Sequence, residues 1–332
     1  NYSRFEKLDV SESDSDEDKL QSNGPRASAF QSAEVLAELP QDLPEELALV
    51  LAAKEGQQHL VNALLDKGVS VNSTDPHGGT ALFRAVESGI GNRSVIELLL
   101  RRRASLECKN TIGETPLSIA AAKGPVPLCE ALMDAGSPSS ELRADALLAS
   151  AENHNEATSL YMVNLARAPP HSRGSDRRTA LHHWARRGNA GMVQALLIAR
   201  ADGAVCDING VTPLICATQG GNAAIVRILC EHSALVNHTE SNGNTALITA
   251  VGMGDRSMEK QAAELAKVLL EFRACVQAVN SARATSPLVA AACADRSSIV
   301  SILLQASAGI DEADSTGRRA LPCAAATGAL EL

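Results

Sequence analysis

Along residues 47–332 the apolar positions come in short bursts at helical spacing, most of them opened by Thr or Ser and closed by Gly or another small residue. The clearest are TPLSIAAAKG (115–124), TALHHWARRG (179–188), TPLICATQGG (212–221) and TALITAVGMG (245–254). TALFRAVESG (80–89), SPLVAAACAD (286–295) and RALPCAAATG (319–328) follow the same pattern, and LALVLAAKEG (47–56) and DALLASAENH (145–154) are weaker copies. Apolar residues three or four apart share one face of a helix, so each burst predicts a short helix. A Thr before the first turn offers its oxygen to free N–H groups, and Pro at the first helical position has no N–H to leave unpaired. Gly at the end suits the left-handed backbone that stops a helix.

A second apolar burst follows each first one, as in LVNALLDKGVSVNSTD (60–75), MVQALLIARADGAVCD (192–207), IVRILCEHSALVNHTE (225–240) and IVSILLQASAGIDEAD (299–314). The unit reads turn, helix, loop, helix, turn. Units open near 47, 80, 115, 145, 179, 212, 245, 286 and 319, in steps mostly of 33 to 35 residues. One such unit cannot bury both of its helices, whereas stacked neighbours share a continuous core. The expected fold is an all-α solenoid of about nine helix-turn-helix units over 47–332, the last incomplete, with little or no sheet.

The signature resembles that of the ankyrin repeat family: a turn of type Asp-x-x-Gly-x, then Thr-Pro-Leu-His-x-Ala-Ala-x-x-Gly. DINGVTPLICATQGG (207–221) and NTIGETPLSIAAAKG (110–124) carry it best. The resemblance implies an α-solenoid with turn fingers along one edge, a protein-binding role and no catalysis of its own. It also implies that Asn72 and Asn237 brace the hairpins. The family's histidine stands only at His182; Phe83, Ser118, Ile215, Ile248, Val289 and Pro322 hold the same slot elsewhere. The fourth unit lacks Thr-Pro-Leu and ends in APPHSRGSDRR (168–178), which predicts a kink. GMGDRSMEKQAAELAKVLL (252–270) lengthens the seventh unit. The chain opens on Asn1 rather than Met and stops after one helix of the ninth unit, so a longer protein is expected.

Composition sharpens this picture. Of 332 residues 45% are hydrophobic but only 2% aromatic, which suits thin, closely packed helices. The net charge of −9 is uneven: residues 1–46 hold 12 acids and 4 bases, the rest 27 acids and 26 bases. Residues 1–31 read as a disordered acidic tail and 32–46 as a helical or linker segment, because so polar a stretch buries too little to offset ordering entropy. Ser11, Ser13 and Ser15 each precede an acid by three residues, a spacing that suits an acid-directed kinase; the plain alternative is a solubilising tail. The eight cysteines lie at least ten residues apart, which excludes CxxC metal or redox motifs and fits a reducing intracellular home, cytoplasmic or nuclear. No apolar run approaches a membrane span.

The one concentrated set of chemical side chains is TALHHWARRGN (179–189). His182 fits a structural hydrogen bond. Adjacent histidines on a helix point about 100° apart and chelate poorly. Trp184 replaces a small Ala and reads as core or as a partner anchor. HExxH, GxSxG, P-loop and GxGxxG motifs are all absent, so no enzyme activity, cofactor or metal is expected. With almost no aromatic residues among the arginines, nucleic acid is not expected either. The sequence points instead to a scaffold or adaptor that binds a protein, or to a regulatory segment of a larger enzyme, channel or ubiquitin ligase. Candidate contacts on the finger tips are His77, Ile112, Glu114, Ile208, Asn209, Val211, Asn242 and Asn244. Candidates on the helical face are His183 with Arg187, and Thr249 with Met253. Arg177, Arg178, Arg186 and Arg187 are the expected dock for a phosphorylated tail.

Overall fold

The computed structural model describes residues 43–327, apart from 90, 91, 233, 254, 255, 282 and 283. The tail 1–31, with Ser11, Ser13 and Ser15, and nearly all of 32–46 lie outside the described residues.

Helices come in antiparallel pairs. The first four pairs are α1 (Glu45–Glu55) and α2 (Gln58–Asp66), α3 (Ala81–Glu87) and α4 (Arg93–Arg101), α5 (Pro116–Lys123) and α6 (Val126–Gly136), α7 (Ser140–Glu152) and α8 (Glu156–Asn164). The next four are α9 (Ala180–Arg187) and α10 (Ala190–Ile198), α11 (Pro213–Gln219) and α12 (Ala223–Glu231), α13 (Ala246–Val251) and α14 (Glu259–Glu271), α15 (Pro287–Cys293) and α16 (Ser297–Gln305). α17 (Ala320–Thr327) is the first helix of a ninth unit. No strand forms among the described residues; isolated bridges Thr74–Thr80 and Ala313–Arg319 close two of the turns. No helix among them is long and apolar enough to cross a membrane.

The helix starts follow the Thr/Ser pattern. The Oγ1 atoms of Thr80, Thr212 and Thr245 accept from the N–H three residues on, at 3.2–3.3 Å. Thr115 and Ser118 cap each other reciprocally. The extra residues of the seventh unit are absorbed by a 3-10 turn, Arg256–Met258, and a 13-residue α14. In the fourth unit α7 starts at Ser140, earlier than the burst at 145, and Ser139 caps it in place of Thr. It packs on both α5 and α9, so the helix stack runs on through the place where a kink was expected.

One leucine in each of the first eight units forms the spine: Leu49, Leu82, Leu117, Leu147, Leu181, Leu214, Leu247 and Leu288 are all fully buried. Polar side chains then lock each unit to the last. Asn92 Nδ2 donates to the carbonyls of Ala53 and Lys54, and Asn155 Nδ2 to those of Ala121 and Gly124. Gln261 Nε2 reaches Gly221 O, and the Arg296 guanidinium reaches Met253 O. These carbonyls lie at or just past the ends of first helices, where regular intrahelical donors run out, and a polar side chain of the next unit supplies one. Asn72 and Asn237 brace the next unit as expected, accepting from Ser105 and Cys275 N–H at 2.8 and 2.7 Å.

After the second helices the backbone turns left-handed. Gly68 serves there in the first unit, with φ of 100°. Arg103, Arg200 and Arg273 take the corresponding place, and Arg167 a similar one after α8, with φ between 49° and 65°. For a non-glycine residue this costs on the order of 1–2 kcal/mol, more than the 0.3–1 kcal/mol, roughly, that a cation returns beside a helix C-terminus.

Candidate protein-binding groove

Five of the fingers are held by one acceptor side chain five residues before the position that opens the following helix. Asp75 Oδ1 accepts from the N–H groups of His77 and Gly79, and Asn110 Oδ1 from Ile112 and Glu114. Asp207 Oδ1 accepts from Asn209 and Val211, Glu240 from Asn242 and Asn244, and Asp314 from Thr316 and Arg318. Gly210, with φ of 73°, allows the turn between Asn209 and Val211. Burial alone would push the Asp207 carboxyl up, but the N–H groups of Val211 and Asn209 and the Arg178 guanidinium hold it below its usual value. Arg178 Nε lies 3.1 Å from Asp207 Oδ2 and ties the fifth finger to the sixth. Backbone bonds join other fingers: Thr111 N–H donates to His77 O, and Ser241 N–H to Asn209 O. Asp207→Ala strips a buried acceptor from three donors and is expected to cost about 2–3 kcal/mol in urea unfolding. A loss below about 0.5 kcal/mol would contradict this account of the fingers.

Between the fingers and the first helices of the later units runs a trough of about 920 Å³. Arg178 and Arg186 stand at one end, Arg318 at the other, with Glu240, Asn242, Asn244 and Asn280 between. The amides form a relay: Asn244 Nδ2 donates to Glu240 Oε1 at 2.6 Å, and Asn280 Nδ2 donates to Asn244 Oδ1 at 3.1 Å. Arg186 holds Gln219 Oε1 at 2.9 Å across two units. Asparagine and glutamine carry both donors and acceptors, the complement of a polypeptide backbone.

The structure brings five of the candidate residues together in this trough: Asn209, Val211, Asn242, Asn244 and Thr249. His77, Ile112 and Glu114 sit on the second and third fingers, outside it. Ile112 and Ile208 are exposed apolar tips, at 75% and 58%. Glu114 is half-buried and accepts from Asn110 Nδ2, so it belongs to the finger's own frame.

Three expectations are corrected. Val211 is not an exposed tip; its side chain is buried and lines the floor of the trough. Its N–H is held by Asp207, and its carbonyl by His182 Nε2 at 3.1 Å, which turns the residue inward. His183 does not share an open face with Arg187. Arg187 is exposed, but His183 is half-buried beneath the fourth unit, near His154 and Asp176, and burial lowers its pKa. Met253 packs on the core instead of facing the trough; Gly252 lines it beside Thr249.

Four of the lining residues not chosen as partner contacts share one position. Arg186, Gln219, Gly252 and Cys293 are each the seventh after the opening Thr or Ser of their unit. The pairs chosen from the sequence put the second member at the eighth, which falls at or beyond the helix end. A repeat-by-repeat alignment of variable positions carries that signal.

The histidine–tryptophan stretch is structural. His182 Nδ1 accepts from Thr179 N–H at 3.1 Å while Nε2 donates to Val211 O, and the ring is fully buried. Burial lowers its pKa to about 4, against the opposing pull of Val211 O and Asp207. Trp184 is 2% exposed, with the His154 ring edge-on at 6.4 Å. Cys108, Cys129, Cys206, Cys216, Cys230 and Cys275 are free thiols, and the sulfurs of Cys293 and Cys323 lie 2.6 Å apart.

Repeated capped helix pairs, Asp-pinned fingers and a trough along their inner side define a solenoid of interaction repeats. A family model described as ankyrin repeats (3 copies) matches residues 27–110, 49–142, 146–232 and 181–271. The chain belongs to the ankyrin repeat family, a protein-interaction module that is as a rule not catalytic. It is 26% identical over 222 residues to ankyrin repeat and SAM domain-containing protein 6 of Danio rerio, covering 58% of this chain and 30% of that protein. It is 25% identical to human transient receptor potential cation channel subfamily A member 1, covering 61% of this chain and 19% of the channel. It is 26% identical to the E3 ubiquitin-protein ligase KEG of Arabidopsis thaliana, covering 58% and 13%. The chain thus spans less than a third of the length of each of these relatives.

Proposed function

We propose that this chain is an adaptor that binds a segment of a partner protein along the trough of the fifth to ninth units. The observation that carries the reading is the trough's lining: side chains from successive fingers and helices, rich in paired donors and acceptors, over a floor of Val211 and Ile248. The partner is protein rather than nucleic acid, because Glu240 interrupts the arginines and no aromatic side chain stands among those lining the trough. A reducing intracellular compartment, cytoplasm or nucleus, belongs to the same proposal and rests on cysteines scattered at least ten residues apart along the chain.

Arg186→Glu with Gln219→Lys reverses and fills one end of the trough while leaving the buried core alone. Partners captured by the full chain are compared, by quantitative mass spectrometry, with those captured by the double variant. At least one partner is expected to fall tenfold or more, with the helical circular dichroism and melting midpoint unchanged. Equal capture of every partner by both proteins defeats the reading. A second reading, favoured by the short share of the channel and the ligase that the chain covers, is that the trough recruits or regulates on behalf of a larger protein. A longer reading frame carrying such a domain decides between them.

A further inference from the structure

A second cleft, of about 730 Å³, opens between the ends of α8 and α10, lined from the fourth and fifth units. Its floor is apolar, with Val163, Pro170 and Ile198, and Ile198 is 80% exposed. Its rim carries Arg167, Arg173 and Arg200, all exposed, against the single acid Asp202. None of these three guanidiniums has an ion-pair partner among the described residues, and two of them occupy left-handed backbone where glycine costs least. By contrast, two of the four arginines expected to receive the tail are committed: Arg178 to Asp207 and Asp176, Arg186 to Gln219.

We propose that the chain's own acidic segment, residues 9–18, docks in this cleft. The segment reads DVSESDSDED and holds six acids with no base. Paired acids suit three forked guanidiniums, since carboxylate–guanidinium contacts are bidentate and among the stronger hydrogen bonds. Val10 supplies an apolar side chain for the floor. Twenty-four residues separate Asp18 from Leu43, where the described array begins. Such a length reaches at most about 80–90 Å, and three to four stacked helices at 8–10 Å each place the cleft roughly 25–40 Å away. A tethered segment meets its site at an effective concentration near millimolar, so modest contacts hold it. The cleft and the trough share no lining residue.

The test places the photo-cross-linker p-benzoylphenylalanine at Ile198 of the full chain and maps cross-linked peptides by mass spectrometry. Cross-links within one chain to peptides containing residues 9–18 are expected at low salt. Their yield should fall at least fivefold in Arg167→Glu/Arg200→Glu and in 0.5 M sodium chloride, since exposed charges are screened within about 10 Å at 0.1 M and less above it. Cross-links that lack residues 9–18, that join two chains only, or whose yield ignores both salt and charge reversal would overturn the proposal. The salt series on the unreversed chain keeps the outcome decisive if the double variant misfolds.

Discussion

Trp184→Ala is expected to lower the unfolding free energy by about 3–5 kcal/mol, the usual cost of deleting a buried indole. Seven other units place alanine at this position, among them Ala85, Ala120, Ala217 and Ala250, each fully or almost fully buried. The large ring fits because the fourth unit presents His154 edge-on at 6.4 Å where a neighbouring helix would otherwise press. The seam is therefore shaped around the indole, and an alanine there leaves a cavity that rigid neighbours cannot close. Trp184 Nε1 has no hydrogen-bond partner among the described residues, so Trp184→Phe loses volume but no bond. It should cost less than about 1.5 kcal/mol. Urea unfolding followed by circular dichroism measures both. A Trp184→Ala loss within about 1 kcal/mol of wild type would mean that the seam collapses around the gap.

Lowering the pH from 6.5 to 4 is expected to remove about 3 kcal/mol of stability through His182 alone. The ring titrates near 6.5 when unfolded and near about 4 when folded, because burial disfavours the imidazolium. Between those values the unfolded chain binds the extra proton, so stability is complete above 6.5 and drains away as the pH falls to 4. His183, also lowered by burial, acts in the same direction. His182→Ser offers a clean comparison, since Ser118 fills the same slot in the third unit and caps Thr115 from there. The variant should be less stable at pH 7 but show a flatter dependence between 6.5 and 4. Parallel curves for the two proteins would remove His182 from the account.

The architecture was readable from the chain because stacking repeats state their design many times over. The paired bursts and the lengthened seventh unit reappear as helices, although the first and fourth units open at Glu45 and Ser140 rather than at 47 and 145. Local rules failed where a residue answers to a neighbouring unit. Val211 looks like a loop valine, yet the His182 ring one unit away captures its carbonyl. His183 looks like an outward helical residue, yet the fourth unit's loop covers it. The fourth unit lost the Thr-Pro-Leu signal without losing its helices, since Ser139 supplies the cap by another route. The groove was half legible: its finger asparagines follow from turn geometry, whereas the seventh-position side chains emerge only when helix ends are known. The arginine cluster was read as one patch because spacing does not reveal that Asp207 claims Arg178.

The chain's single tryptophan sits at one seam, between the fourth and fifth units. Its fluorescence therefore reports the parting of that seam and nothing else, while circular dichroism sums over all the helices. In a molecule whose stability is distributed along a line, the two signals need not move together. If the ends loosen first, the dichroism signal decays while the indole stays dark to solvent. The separation between the two curves then serves as a ruler for how far unravelling has travelled along the stack.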